Sequence, residues 1–97
     1  MSVVVYHFWS PTCKPCKAIK PAIEELKNDF SSFRWITINT HEDPQELSKK
    51  FKIQFVPSIA VVRLDESGST VSMEKHTGVD MMGYYRILKN ATQQLSK

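Results

Sequence analysis

Apolar residues recur along this chain with two different periods, and the alternation between them outlines the elements. Val3 to Trp9 is almost continuously apolar and rich in β-branched and aromatic side chains, the pattern of a strand buried on both faces. It stops at Ser10-Pro11. From Cys13 to about Phe30, Ile19, Ile23, Leu26 and Phe30 share one helical face, with Lys20, Glu24, Lys27 and Asn28 largely away from it. An amphipathic helix is expected, kinked where Pro21 removes an amide donor and crowds the preceding turn. Phe33 to Asn39 reads as a second strand. Asp43-Pro44-Gln45-Glu46 then supplies an N-cap, a proline at the first helical position and a Glu suited to a capping box, so a short helix to about Lys50 should follow. Ser58 to Leu64 is strongly β, Asp65-Glu66-Ser67-Gly68 is turn chemistry, and Thr70 to His76 completes a hairpin that Gly78 ends. Asp80 to Leu95 carries Met81, Tyr84, Leu88, Ala91 and Leu95 at helical spacing. The predicted order is βαβαββα: an α/β fold with a four-stranded mixed sheet and three helices, two of them sharing one face.

Composition narrows the classes. Ninety-seven residues, 41% hydrophobic and 24% charged, make one domain spanning 1–97. Mean hydropathy is −0.32, and no apolar run approaches the ~18 residues of a membrane span. A formal charge of +3 is mildly basic, and the basic residues are scattered without an aromatic-interleaved stripe, which argues against nucleic-acid binding. The N-terminus opens as a strand with neither a basic leader nor a small-residue cleavage pattern, so a cytoplasmic protein is expected. Asn90-Ala91-Thr92 spells a glycosylation acceptor, discounted for the same reason. Trp35 and Tyr6 fit strand packing, and Met73, Met81 and Met82 read as core filler.

The candidate chemistry lies in Cys13-Lys14-Pro15-Cys16, directly after a strand and at the start of a helix. A thiolate at a helix N-terminus faces unpaired amide donors and the positive end of the dipole, which lowers its pKa. Cys13 is best placed to be that nucleophile. Cys16, one turn later and deeper, is within disulfide reach and can resolve a mixed disulfide formed on Cys13. Two bland alternatives stand beside this: a zinc half-site, which would need histidines from elsewhere, and two inert thiols. No metal is expected. His7 shares strand parity with Val5 and Trp9 and should point beneath the helix. It is either a satisfied core histidine or a neutral imidazole able to take the proton of Cys16.

The segment Phe8-Trp9-Ser10-Pro11-Thr12-Cys13-Lys14-Pro15-Cys16-Lys17 resembles the active-site segment of the thioredoxin family. Pro21 resembles that family's kink proline, Val56-Pro57-Ser58 its cis-proline loop, and Gly78 the glycine of its third active-site loop. The resemblance implies a thiol–disulfide oxidoreductase that reduces protein disulfides through the Cys13-Cys16 pair, with no other cofactor. It also implies a recycling reductase, either thioredoxin reductase or glutathione, and a monomeric state. A cis Val56–Pro57 bond would keep a groove open beside Cys13, where the Val56 backbone pairs with substrate and Thr12, Pro15, Phe55 and Gly78 line the approach.

Four departures bear on this expectation. The chain begins at the family's central strand, so a smaller, glutaredoxin-like core with one less-covered sheet edge is expected. Thr12 and Lys14 stand where the family usually has Trp and Gly, and Lys14 adds a charge that tunes the thiolate. His7 occupies the place of the family's buried acid, and Thr37 that of its partner lysine. Phe55 replaces a small residue and either adds an aromatic surface or packs inward. The alternatives are a glutathione-linked oxidoreductase and a non-catalytic binding module.

Overall fold

The computed structural model describes residues 2–95. Its elements are β1 (Ser2–Trp9), α1 (Lys14–Asp29), β2 (Arg34–Asn39), α2 (Leu47–Lys50), β3 (Ser58–Leu64), β4 (Thr70–Thr77) and α3 (Met81–Leu95). The βαβαββα order is as expected. The four strands form one mixed sheet in the order β2-β1-β3-β4. β1 runs parallel to β2 with Val5 opposite Trp35 and His7 opposite Thr37, and antiparallel to β3 with His7 opposite Ile59. β3 and β4 close the antiparallel hairpin. Because β1 and β3 are flanked on both sides, they carry the continuous apolar runs seen in the sequence.

Strand alternation divides the interior into two cores. On one face Val3, Val5, Ile59 and Val61 meet Ile19, Ile23 and Leu26 of α1 and Tyr84, Ile87, Leu88 and Ala91 of α3, so α1 and α3 are the two helices that share a face. On the other, Phe8, Ala60 and Val62 pack with Phe51 just beyond α2. The Phe51 ring lies 4.9 Å from Tyr6 in a tilted arrangement and 6.3 Å from Phe8 edge-on, and an edge-on pair adds about 0.5–1.5 kcal/mol beyond burial. The helix α1 continues through Pro21 and ends where the Phe30 amide bonds the Leu26 carbonyl. The side chain of Leu95, expected on the inner face of α3, lies outside the described residues.

Two local expectations are corrected. α2 begins at Leu47, three residues later than a helix starting at Pro44 requires, because Glu46 adopts a left-handed conformation with φ 53°. The Asp43–Glu46 segment is instead a turn closed by the Glu46 amide on the Asp43 carbonyl at 2.9 Å. The Asp43 carboxylate then reaches past it to accept from the amides of Leu47 at 2.9 Å and Ser48 at 2.8 Å, replacing the anticipated capping box and holding its own pKa below the usual value. Met73 and Met82 are exposed rather than core: β4 is an edge strand with a largely solvated outer face, and Met82 lies on the outer side of the first turn of α3. His76, half-buried near the end of β4, packs edge-on against Tyr84 with ring centroids 4.7 Å apart.

Candidate active site

The end of β1 delivers the chain into a short loop whose geometry is set by the helix that follows. The Cys13 amide bonds the Ser10 carbonyl at 3.2 Å, and Cys13 then caps α1 in an extended conformation, φ −91° and ψ 107°. Its sulfur does the work that a Ser or Asp oxygen does at most helix starts, accepting the Cys16 amide at 3.1 Å. Cys13 and Cys16 are joined as a disulfide with their Cα atoms 5.3 Å apart. Cys13 is half-buried and outermost, Cys16 is buried, and Lys14 and Pro15 are exposed in the first turn. Thr12 is exposed beside them, its hydroxyl 3.5 Å from that of Ser10.

Across from Cys13 lies the loop before β3. The Val56–Pro57 bond is cis, and the Val56 carbonyl oxygen stands 3.6 Å from the Cys13 sulfur. Pro57 is itself buried, so it contributes the shape of the loop rather than a contact surface. Gly78 joins this loop from behind: its amide bonds the Pro57 carbonyl at 3.0 Å, and its φ of 121° is one that L side chains rarely adopt. Phe55 is 69% exposed and Val79 is 55% exposed, which settles the alternative left open for Phe55 in favour of a solvent-facing aromatic surface. Thus β1, α1 and the two loops around β3 and β4 bring Cys13, Cys16, Val56, Pro57 and Gly78 together.

Behind the disulfide, on the α1 side of the sheet, is a cavity of about 420 Å³ whose walls include His7, Trp9, Cys16, Glu24, Lys27 and Thr37. His7 is 8% exposed, and its Nδ1 has no hydrogen-bond partner among the described residues. Burial, and secondarily the Lys27 ammonium, pull its pKa down to about 4 against a smaller opposing pull from Glu24. The ring is therefore neutral at physiological pH in this disulfide state, not poised near its ordinary value as the sequence implied. Periodicity placed Glu24 and Lys27 on the solvent side of α1, yet both line the cavity. The Lys27 ammonium donates to the Thr37 hydroxyl at 3.3 Å and to the Glu24 carboxylate at 3.5 Å. The missed signal was register: Thr37 is paired with His7, so whatever covers that site from α1 also covers the histidine.

A strand-to-helix C-x-x-C disulfide, a cis-proline loop against its outer sulfur and a mixed sheet between helices define a thioredoxin-fold domain with a redox-type dithiol site. The Thioredoxin family model matches residues 1–83, and the chain belongs to that family. It is 32% identical over 69 residues to thioredoxin M4, chloroplastic, of Arabidopsis thaliana, an alignment covering 70% of this chain and 35% of that protein. To the thioredoxin of Bacillus subtilis (strain 168) it is 33% identical over 61 residues, covering 63% of this chain and 59% of that one. The matched segments thus span roughly a third to three fifths of these relatives' lengths. Among solved structures it superposes on the thioredoxin f2 complex with ferredoxin:thioredoxin reductase at a TM-score of 0.77 and 21% identity, covering 94% of this chain and 78% of that chain.

Proposed function

We propose that this protein is a thiol–disulfide oxidoreductase that reduces protein disulfides. The observation carrying this reading is the ordering of the two sulfurs at the start of α1: Cys13 outermost and facing the Val56 carbonyl, Cys16 buried behind it. In the reduced protein the Cys13 thiolate is stabilised by the Cys16 amide and the positive end of α1, with the exposed Lys14 ammonium adding a screened attraction. The thiolate attacks one sulfur of a substrate disulfide, forming a mixed disulfide on Cys13 and releasing the other sulfur as a thiolate that takes a proton from solvent. Cys16 then attacks the Cys13 sulfur, and the second substrate sulfur leaves as a thiolate. Two electrons have passed to the substrate, and the Cys13–Cys16 disulfide described above is the product state.

His7 is the acceptor for the Cys16 proton. Its imidazole is neutral and borders the same cavity as Cys16. Its basicity, low in the disulfide state, rises when a thiolate charge forms on the wall of that shared cavity. Backbone groups of Val56 pair with the substrate chain, and Thr12, Pro15, Phe55 and Gly78 flank it. Re-reduction requires an external donor, and the complex of thioredoxin f2 with ferredoxin:thioredoxin reductase supports a reductase in that role. Our reading places the protein in a reducing compartment, the cytoplasm, as a monomer with no cofactor beyond the dithiol.

Insulin reduction by the purified protein, with alkylation of the reduced form and peptide mapping, tests this. Wild type should be active, Cys13→Ser inactive, and alkylation should label Cys13 before Cys16. Full activity in Cys13→Ser, or preferential labelling of Cys16, would overturn the assignment.

A further inference from the structure

Tyr84 is wholly buried in α3, and the redox steps above make no use of it. Phenylalanine would fill nearly the same volume, so the hydroxyl needs its own account, because burying one without a partner is costly. That hydroxyl lies 2.6 Å from the Gly78 carbonyl and 3.0 Å from the Pro57 carbonyl. It therefore sits between the loop that faces Cys13 and the loop behind it. Its burial raises its pKa well above the ordinary phenol value, so it stays a donor. A second tie acts from the other side of the same loops: the Thr77 and Ser58 hydroxyls are 2.6 Å apart, and Ser58 donates to the Phe55 carbonyl at 2.6 Å. The two segments held in this way carry Phe55 and Val79, both more than half exposed. Anchored backbone beneath exposed apolar side chains is the arrangement of a surface that is formed before its ligand arrives.

We infer that Tyr84 is a positioning residue for substrate selection. The Gly78 amide already joins the two loops at the Pro57 carbonyl, and the Tyr84 hydroxyl fixes the seating of the joined loops on α3, so that Phe55 and Val79 offer a preformed surface to an extended polypeptide with apolar side chains on both sides of its half-cystine. This rests on the oxidoreductase reading. A small disulfide needs only the Cys13 sulfur, whereas a polypeptide lies along both loops and depends on how they are seated. Removing the hydroxyl leaves the core filled but takes from the Gly78 carbonyl its bond to α3.

The experiment compares insulin and the small disulfide DTNB as substrates for wild type, Tyr84→Phe and Thr77→Val, with circular dichroism confirming the fold. For both variants KM for insulin should rise roughly fivefold to tenfold with kcat retained, while the DTNB rate changes by less than about twofold. A purely structural tyrosine would move both substrates together or neither, and either result overturns the inference. If Tyr84→Phe does not fold, Thr77→Val decides, and an unchanged ratio of the two substrates refutes the preformed surface. Wild type inactive on both substrates would instead sink the oxidoreductase reading.

Discussion

Between pH 6.5 and 4 the stability of this domain should fall by an amount that His7 governs. The unfolded chain binds a proton at His7 with the ordinary pKa of 6.5, whereas the folded state holds that pKa near 4, chiefly through burial and secondarily through Lys27. In this window the unfolded state carries more protons, so stability rises with pH: the full value is present above 6.5 and is lost as pH falls toward 4. At about 1.4 kcal/mol per pH unit the complete loss is about 3 kcal/mol, of which about 2 kcal/mol is reached by pH 5. That is a large share of what a domain of this size possesses. Urea unfolding of the oxidised protein at several pH values from 7.5 to 5, for wild type and His7→Leu, isolates the effect. Asp43 and Asp65, whose pKa values hydrogen bonds depress, lose their contributions at lower pH in both proteins and cancel in the difference. Lys27→Met should shrink the wild-type loss by relieving the cationic part alone. Equal pH slopes for wild type and His7→Leu would refute the burial of a neutral imidazole at this site.

The same neutral ring bears on the redox balance. His7→Asp places a carboxylate in the cavity wall that Cys16 shares, opposing thiolate formation and favouring the disulfide, so the reduction potential should become more negative by tens of millivolts, given that about 30 mV corresponds to ~1.4 kcal/mol. Lys14→Gly should move it the same way by less, since an exposed charge is screened; equilibration against glutathione measures both, and the electrostatic account fails if neither falls. Gly83→Ala should destabilise the fold despite its helix propensity, because a Cβ there would collide with the His76 ring, which is held by Tyr84 and by its Nε2 contact at 3.1 Å with the Asp80 carbonyl. The expected net loss is about 1–2 kcal/mol, and His76→Ala in the same chain should recover most of it in thermal unfolding; an additive pair would contradict the contact.

Element order and topology were readable in the pattern because two periods, 2.0 and 3.6, decide which side chains can share a face. Val3–Trp9 and Ser58–Leu64 announced central strands, and Ile19, Ile23 and Leu26 announced the inner face of α1; all lie where that periodicity puts them. The Cys13–Cys16 pair, and Cys16 as its buried member, were equally legible, since a strand-to-helix junction is a local feature. Local reading failed at α2, where a left-handed Glu46 and a carboxylate reaching four and five residues ahead defeat the three-residue spacing of a capping box. It failed again for Met73 and Met82, whose apolar chemistry is satisfied at an edge strand and an outer helical turn rather than in a core.

What the sequence by itself determined is therefore whatever depends on neighbours along the chain: which segments are strands or helices, which residues point together, and where two sulfurs meet a helix N-terminus. Only the tertiary structure decided the environments. It turned Phe55 outward, enclosed His7 so that its proton affinity drops, and bridged Thr37 to Glu24 through Lys27. It also set the Tyr84 hydroxyl between two carbonyls from loops 21 residues apart in the chain, at Pro57 and Gly78. Burial, desolvation and cross-element hydrogen bonds depend on which surfaces are brought into contact. That depends on the register of the sheet and the seating of helices upon it, which no single segment encodes.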